Sequence, residues 1–106
     1  MPVQIASDED FESLIQTNPK VIVKYYADWC GSCRLLAPKY RRMSDDPRFS
    51  DVVFLDINAE QNPKARKMAG VDNLPFIAMF RNGSFIKGGA TSREEWIMDL
   101  LLEQRG

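Results

Sequence analysis

Cys30 and Cys33 are the only thiols in a chain of 106 residues that contains no histidine. Separated by Gly31 and Ser32, they form a dithiol that can close into a disulfide, chemistry that runs through attack of a thiolate on a disulfide sulfur. They follow an apolar run at 21–27 and precede a helix-like pattern that begins at Arg34. Cys30 is therefore expected at or near a helix N-terminus, where free backbone N–H groups and the positive end of the helix dipole favour a negative sulfur.

The rest of the composition removes competing chemistries. Without histidine there is no His-based catalysis and no usual Cys/His zinc site within one chain, so no metal is expected. Two cysteines are too few for the disulfide framework of a small secreted domain. The 14 basic and 15 acidic residues are scattered and leave a net charge of −1, without the stripe that steers a protein to nucleic acid or an anionic membrane. The first ten residues lack a basic segment followed by an apolar core, and no run approaches membrane-spanning length. The expectation is one soluble, cytoplasmic domain covering 1–106.

The elements that must position the dithiol follow from pattern. Residues 3–6 suit a short strand, and Ser7 with Asp10 predicts a helix start with Phe11, Leu14 and Ile15 on its inner face and Asn18-Pro19 as its end. Residues 20–27, rich in β-branched and aromatic side chains, predict a central strand covered on both faces, in which Lys24 is unexpected. The helix after the cysteines carries Leu35, Leu36, Tyr40 and Met43, contains Pro38, and ends near Asp45-Asp46-Pro47. A second buried strand is predicted at 52–57, then a short helix with Asn62 as cap, Pro63 at its first position and Gly70 as its stop. Asp72-Asn73-Leu74-Pro75 is a turn leading into a strand at 76–81, and Asn82-Gly83 predicts a hairpin returning through 84–87, broken by Gly88-Gly89. Ser92 with Glu95 reads as a capping box for a last helix that packs Trp96, Ile97, Leu100 and Leu101. This βαβαβαββα order predicts an α/β fold: a central mixed sheet, parallel strands first and an antiparallel hairpin last, with helices on both faces.

Trp29-Cys30-Gly31-Ser32-Cys33 after a buried strand, with Ala37-Pro38, Gln61-Asn62-Pro63, Leu74-Pro75, Asn82-Gly83 and Gly89, resembles the thioredoxin family over nearly the whole chain. The resemblance implies the thioredoxin fold and a protein-disulfide reductase. Cys30 would be the exposed nucleophile that forms a mixed disulfide, and Cys33, more shielded and more thiol-like, would resolve it. Pro75 matches the family's cis-proline, and Leu74 would offer its main chain to a substrate strand beside an apolar groove of Trp29, Gly31, Gly89 and Ala90. No bound cofactor is implied; electrons would come from NADPH through a thioredoxin reductase. The expected partners are that reductase and disulfide-containing proteins, met by a monomer. Four plainer readings stand beside these roles: Cys30 and Cys33 as a buried inert pair or as two ligands of an intermolecular metal site, Trp29 as core, Pro75 as a trans turn proline and Gly89 as a strand end.

Four positions depart from the family pattern. Thioredoxins usually place a buried aspartate six residues before the first cysteine and a lysine on the neighbouring strand; here the matched residues are Lys24 and Asp56. Such an exchange is most simply explained if the two side chains meet, with Asp56, through water, or a transiently neutral Lys24 taking the proton of Cys33; the alternative is a Lys24 that snorkels to solvent. Ser32 replaces the usual proline and restores an N–H at the helix start, a donor expected to stabilise thiolate and make the potential more oxidising. Phe76 stands where threonine is common. Two further functions remain open: a disulfide isomerase or oxidase, and a non-catalytic thioredoxin-fold interaction subunit whose cysteines are incidental.

Overall fold

A computed structural model describes residues 3–105; Met1, Pro2 and Gly106, the ends of the expected domain, lie outside the described residues. The chain forms β1 (Gln4–Ile5), α1 (Phe11–Thr17), β2 (Lys20–Tyr26), α2 (Gly31–Ser44), β3 (Val53–Asn58), α3 (Pro63–Ala69), β4 (Phe76–Arg81), β5 (Ser84–Ala90) and α4 (Glu94–Glu103). The sheet order is β1-β3-β2-β4-β5. β3 pairs in parallel with β1 and β2, whereas β4 runs antiparallel to β2 and β5.

Central β2 is buried from Val21 to Tyr25, which explains its near-continuous hydrophobicity. Its alternate side chains serve two cores. Val21, Val23 and Tyr25 pack with Phe11 and Ile15 of α1 and with Ala65 and Ala69 of α3. On the other face Ile22 joins Leu36, Tyr40 and Met43 of α2 and Ile97, Leu100 and Leu101 of α4. The helices therefore cover both faces in pairs, and α2 is pressed onto the strand that delivers the cysteines. Buried Tyr40 donates its hydroxyl towards the carbonyls of Ile22 and Leu55, at 3.1 and 2.9 Å, tying α2 to β2 and β3.

Several boundaries differ from the sequence expectation. The helix expected at Arg34 begins at Gly31. Ser7 and Asp10 do form half of a capping box, the Ser7 N–H donating to Asp10 at 2.8 Å, but that turn precedes the helix, which starts at Phe11. Asn62 precedes α3 without capping it. Its side chain instead donates to the Asn58 carbonyl at 2.9 Å and accepts from the Asp8 N–H at 2.8 Å, and the Asp8 carboxylate accepts the N–H groups of Lys64 and Ala65 at 3.1 and 2.8 Å. Gly88-Gly89 does not end β5. A Cβ at Gly88 would lie 2.9 Å from the Ile77 carbonyl, so glycine there lets two strands approach rather than stopping one. Ser92 caps nothing; Arg93 takes the cap position of α4, its N–H held by the Thr91 hydroxyl at 3.0 Å. A 3₁₀ turn at Pro47–Phe49, absent from the sequence reading, buries Phe49. The Asn82-Gly83 hairpin carries positive φ at both residues, as a two-residue turn requires.

Candidate active site

Cys30 is the N-cap of α2. Its φ and ψ of −87° and 104° are extended, and its sulfur accepts the backbone N–H of Cys33 at 3.2 Å. A sulfur thus occupies the place where a serine or aspartate oxygen usually satisfies a first-turn N–H. Cys30 and Cys33 are joined as a disulfide, with their Cα atoms 5.3 Å apart.

The expectation of an exposed Cys30 is corrected: it is 4% exposed, about as little as Cys33 at 3%. Ala27 shares their small buried cluster, and Tyr26 and Leu74 pack against it. The Leu74–Pro75 bond is cis. Pro75 holds the edge of the hairpin through its carbonyl, which accepts the Thr91 N–H at 3.0 Å, and the next residue, Phe76, pairs with Ala90. The Leu74 N–H is already engaged by the Asn73 side chain at 2.9 Å.

Trp29 is 65% exposed and belongs to no core cluster. Its indole N–H donates to Glu60 at 2.7 Å, and the Glu60 N–H in turn donates to Asn58 at 3.0 Å. The loop after β3 therefore fixes the ring beside the cysteines. Gly31 and Ala90 are exposed, and an added Cβ on Gly31 would meet nothing within 4 Å. Gly89 is half-buried; a Cβ there would sit 3.3 Å from the Trp96 ring, so its small size also serves packing. Ser32 is exposed in the first turn of α2.

Beneath the disulfide, Lys24 and Asp56 face one another in register on β2 and β3. The Lys24 side chain is 4% exposed and its Nζ lies 3.3 Å from Asp56 Oδ1, so it does not snorkel. That contact is an ion pair without hydrogen-bond alignment, and Oδ1 has no hydrogen-bond partner. The ammonium also sits 5.3 Å from the Tyr40 ring centre and 5.9 Å from that of Tyr26, stabilising a cation in a largely dry place. Burial pushes the Asp56 carboxyl above its ordinary range, against the opposing pull of Lys24. Both residues line a cleft of about 270 Å³ that also reaches Cys33, with Tyr26, Asp28 and Arg34 on its walls. Arg34 spans part of this wall by donating to the Asp28 carbonyl at 3.3 Å. The cleft has room for several waters between Cys33 and the ion pair.

Glu60 escaped the sequence reading because it acts through a pairing with a segment 31 residues away, and Asn73 and the Arg34–Asp28 contact because short-range side-chain bonds of this kind have no sequence signature. Among the described residues no group of three or more His, Cys, Asp or Glu is placed to hold a metal, and no helix is long and apolar enough to cross a membrane.

Comparison with known proteins agrees with this geometry. The thioredoxin family model matches residues 2–101. Thioredoxin-1 of Schizosaccharomyces pombe is 30% identical over 87 residues, 82% of either chain. Thioredoxin of Mycoplasma genitalium is 31% identical over 78% of this chain and 79% of its own. The solved structure of Plasmodium falciparum thioredoxin superposes with a TM-score of 0.89 at 25% identity, covering 96% of this chain and 99% of the other. A disulfide capping a helix beside a cis-proline, on a five-stranded mixed sheet whose sequence matches that family model almost end to end, places the chain in the thioredoxin family.

Proposed function

We propose that this thioredoxin-family protein-disulfide reductase is one domain acting as a monomer in the cytoplasm, with Cys30 as its nucleophile and Cys33 as its resolving thiol. In the reduced protein the Cys30 thiolate attacks one sulfur of a substrate disulfide. A mixed disulfide forms, the substrate S–S bond breaks, and the departing thiolate takes up a proton. Cys33 then loses its proton and attacks the Cys30 sulfur, closing the disulfide and releasing the second substrate thiol. Two electrons pass from the dithiol to the substrate. The observation that carries this reading is the Cys33 N–H aimed at the Cys30 sulfur at the start of α2, which favours negative charge on that atom.

Leu74 and Pro75 form the shelf on which a substrate strand lies, and Trp29, Gly31, Gly89 and Ala90 border it. Asp56 accepts the Cys33 proton through water in the shared cleft while Lys24 offsets its charge, a role supported by its raised carboxyl range and by the cleft that joins the three residues. No cofactor is bound by the chain itself. The oxidised form is recycled by a thioredoxin reductase that draws on NADPH.

The test is reduction of insulin disulfides, first with dithiothreitol and then with a thioredoxin reductase and NADPH, paired with a redox titration. Activity in both supports the reading, and Cys30→Ser/Cys33→Ser abolishes it. Retained function in that double variant would make the protein a non-catalytic subunit. Exposed Ser32 at the helix start favours a second reading, an isomerase or oxidase, because its N–H adds a donor where proline has none. Ser32→Pro is expected to make the potential more negative; an equal or less negative value removes that reading.

A further inference from the structure

The surface charge of this nearly neutral chain is unevenly distributed: α2 and α3 each carry basic residues and no acidic one, and of the two only α2 begins at the disulfide. Between Gly31 and Ser44 the helix carries Arg34, Lys39, Arg41 and Arg42 and no acidic residue. Once these four are subtracted from the 14 basic residues, ten remain elsewhere against all 15 acidic ones. All four are exposed. Among the described residues, Lys39, Arg41 and Arg42 close none of the ion pairs, which involve Lys20, Lys24, Arg48, Lys87 and Arg93 instead. Leu35, 75% exposed and two residues past Cys33, stands among them beside exposed Pro38. Attraction to the helix dipole accounts for basic residues in the last turn, Arg41 and Arg42, but not for Arg34, Lys39 or the bare leucine.

We propose that this outward face of α2 is a docking ridge for acidic protein surface, so that preferred substrates carry Asp and Glu beside the disulfide they present to Cys30. The inference rests on the reading of Cys30 as the attacking group. Nine residues of helix place Arg42 about 13.5 Å along the axis from Cys33. A protein contact of ordinary size covers a patch roughly 30 Å across, so a partner that brings a disulfide to Cys30 also covers this ridge. Leu35 and Pro38 supply its apolar centre, and the four cations supply a polar rim that selects partners by charge. A compact acidic patch fits better than a nucleic-acid backbone, because exposed Asp28 and Asp45 bracket the ridge and repel a continuous polyanion. Asp28, which lines the cleft with Cys33, and Glu60, which holds Trp29, lie outside α2 and give the site an acidic side opposite the cationic ridge, and thereby a preferred orientation.

The test uses pre-reduced protein in single turnovers with three oxidised peptides. They share one internal disulfide flanked by Glu, Ser or Lys, and each is converted to its dithiol as Cys30–Cys33 closes. Lys39→Glu/Arg42→Glu is the informative variant, since Arg34 lines the cleft and the charge of Arg41 reaches Asp56. The native protein is expected to react fastest with the Glu peptide, and the variant to lose about tenfold on it at about 0.05 M salt while gaining on the Lys peptide. The Ser peptide is expected to be unaffected, Lys39→Gln/Arg42→Gln to fall between, and the ranking to collapse at about 0.5 M salt. Equal native rates on all three peptides overturn the docking proposal and leave the reductase reading standing. So does an equal loss on all three in both variants. Salt-sensitive binding of a single-stranded DNA oligonucleotide, abolished in the variant and unaccompanied by any peptide ranking, assigns the ridge to nucleic acid and also overturns it. A native protein that reduces none of the peptides overturns the reductase reading itself, and this inference with it.

Discussion

Lys20 and Lys24 stand four residues apart on β2, and each meets an aspartate, yet the two pairs do opposite things. Lys20 bonds Asp51 at 2.9 Å, with the aspartate side chain 59% exposed, and that hydrogen bond holds the Asp51 carboxyl below its ordinary range. Lys24 approaches Asp56 at 3.3 Å without a hydrogen bond, and burial drives that carboxyl upward. The shorter contact is the weaker device, because water screens it and both chains lose freedom to make it. The longer one is costly to build and costly to break, since each charge is largely removed from water. Such a pair fits the proton-accepting role proposed for Asp56. It lies in the cleft with Cys33, whereas Lys20 opens the same strand at its other end.

Four experiments break or sharpen this contrast. Lys24→Met leaves the largely buried Asp56 without its ion-pair partner and is expected to cost about 3 kcal/mol in urea denaturation, with Lys24→Met/Asp56→Leu recovering most of it. Asp56→Asn is expected to slow resolution of the mixed disulfide about tenfold in stopped-flow traces while leaving its formation unchanged; an unaltered resolution rate removes Asp56 from the proton path. The two carboxyls also give pH dependences of opposite sign. For Asp56, raised on folding, the contribution to stability is full below its ordinary value of 3.8 and is lost as pH rises through the higher folded value. For Asp51, lowered on folding, it is full above 3.8 and lost as pH falls through the lower folded value. Melting curves of the native protein against Asp56→Asn and Asp51→Asn, taken across that range, should therefore diverge in opposite directions. The smallest effect is that of Asp51→Asn itself, at most about 0.5 kcal/mol and erased by about 1 M salt.

The sequence displays whatever depends on local periodicity. Val21 to Tyr25 reads as a doubly covered strand, Asn82-Gly83 as a hairpin and Gly70 as a helix stop, and the chain adopts each, with Gly70 at φ 62°. Elements set by contacts from elsewhere read less well. α3 looks self-capped by Asn62 but draws its cap from Asp8, a residue that no pattern links to it. Gly88 looks like a break and is instead a close approach of two strands. Of the site, Cys30, Cys33 and Pro75 were legible because a motif carries them, and Lys24 with Asp56 because two charges in buried strands demand one another. The burial of Cys30 was not, since it follows from Leu74 and Ala27 closing over the disulfide.

The remote cap on α3 also carries information over distance. Asp8 spans 57 positions to hold Ala65, whose carbonyl receives the buried Tyr25 hydroxyl at 2.8 Å. A seven-residue helix is too short to persist by itself. It stands because a segment made early in synthesis waits for one made much later, and the loop that brings Glu60 to Trp29 runs straight into that helix. A change at Asp8 would therefore pass through α3 and the loop before it to the tryptophan beside the disulfide, which makes the beginning of the chain an outlying support of its redox chemistry.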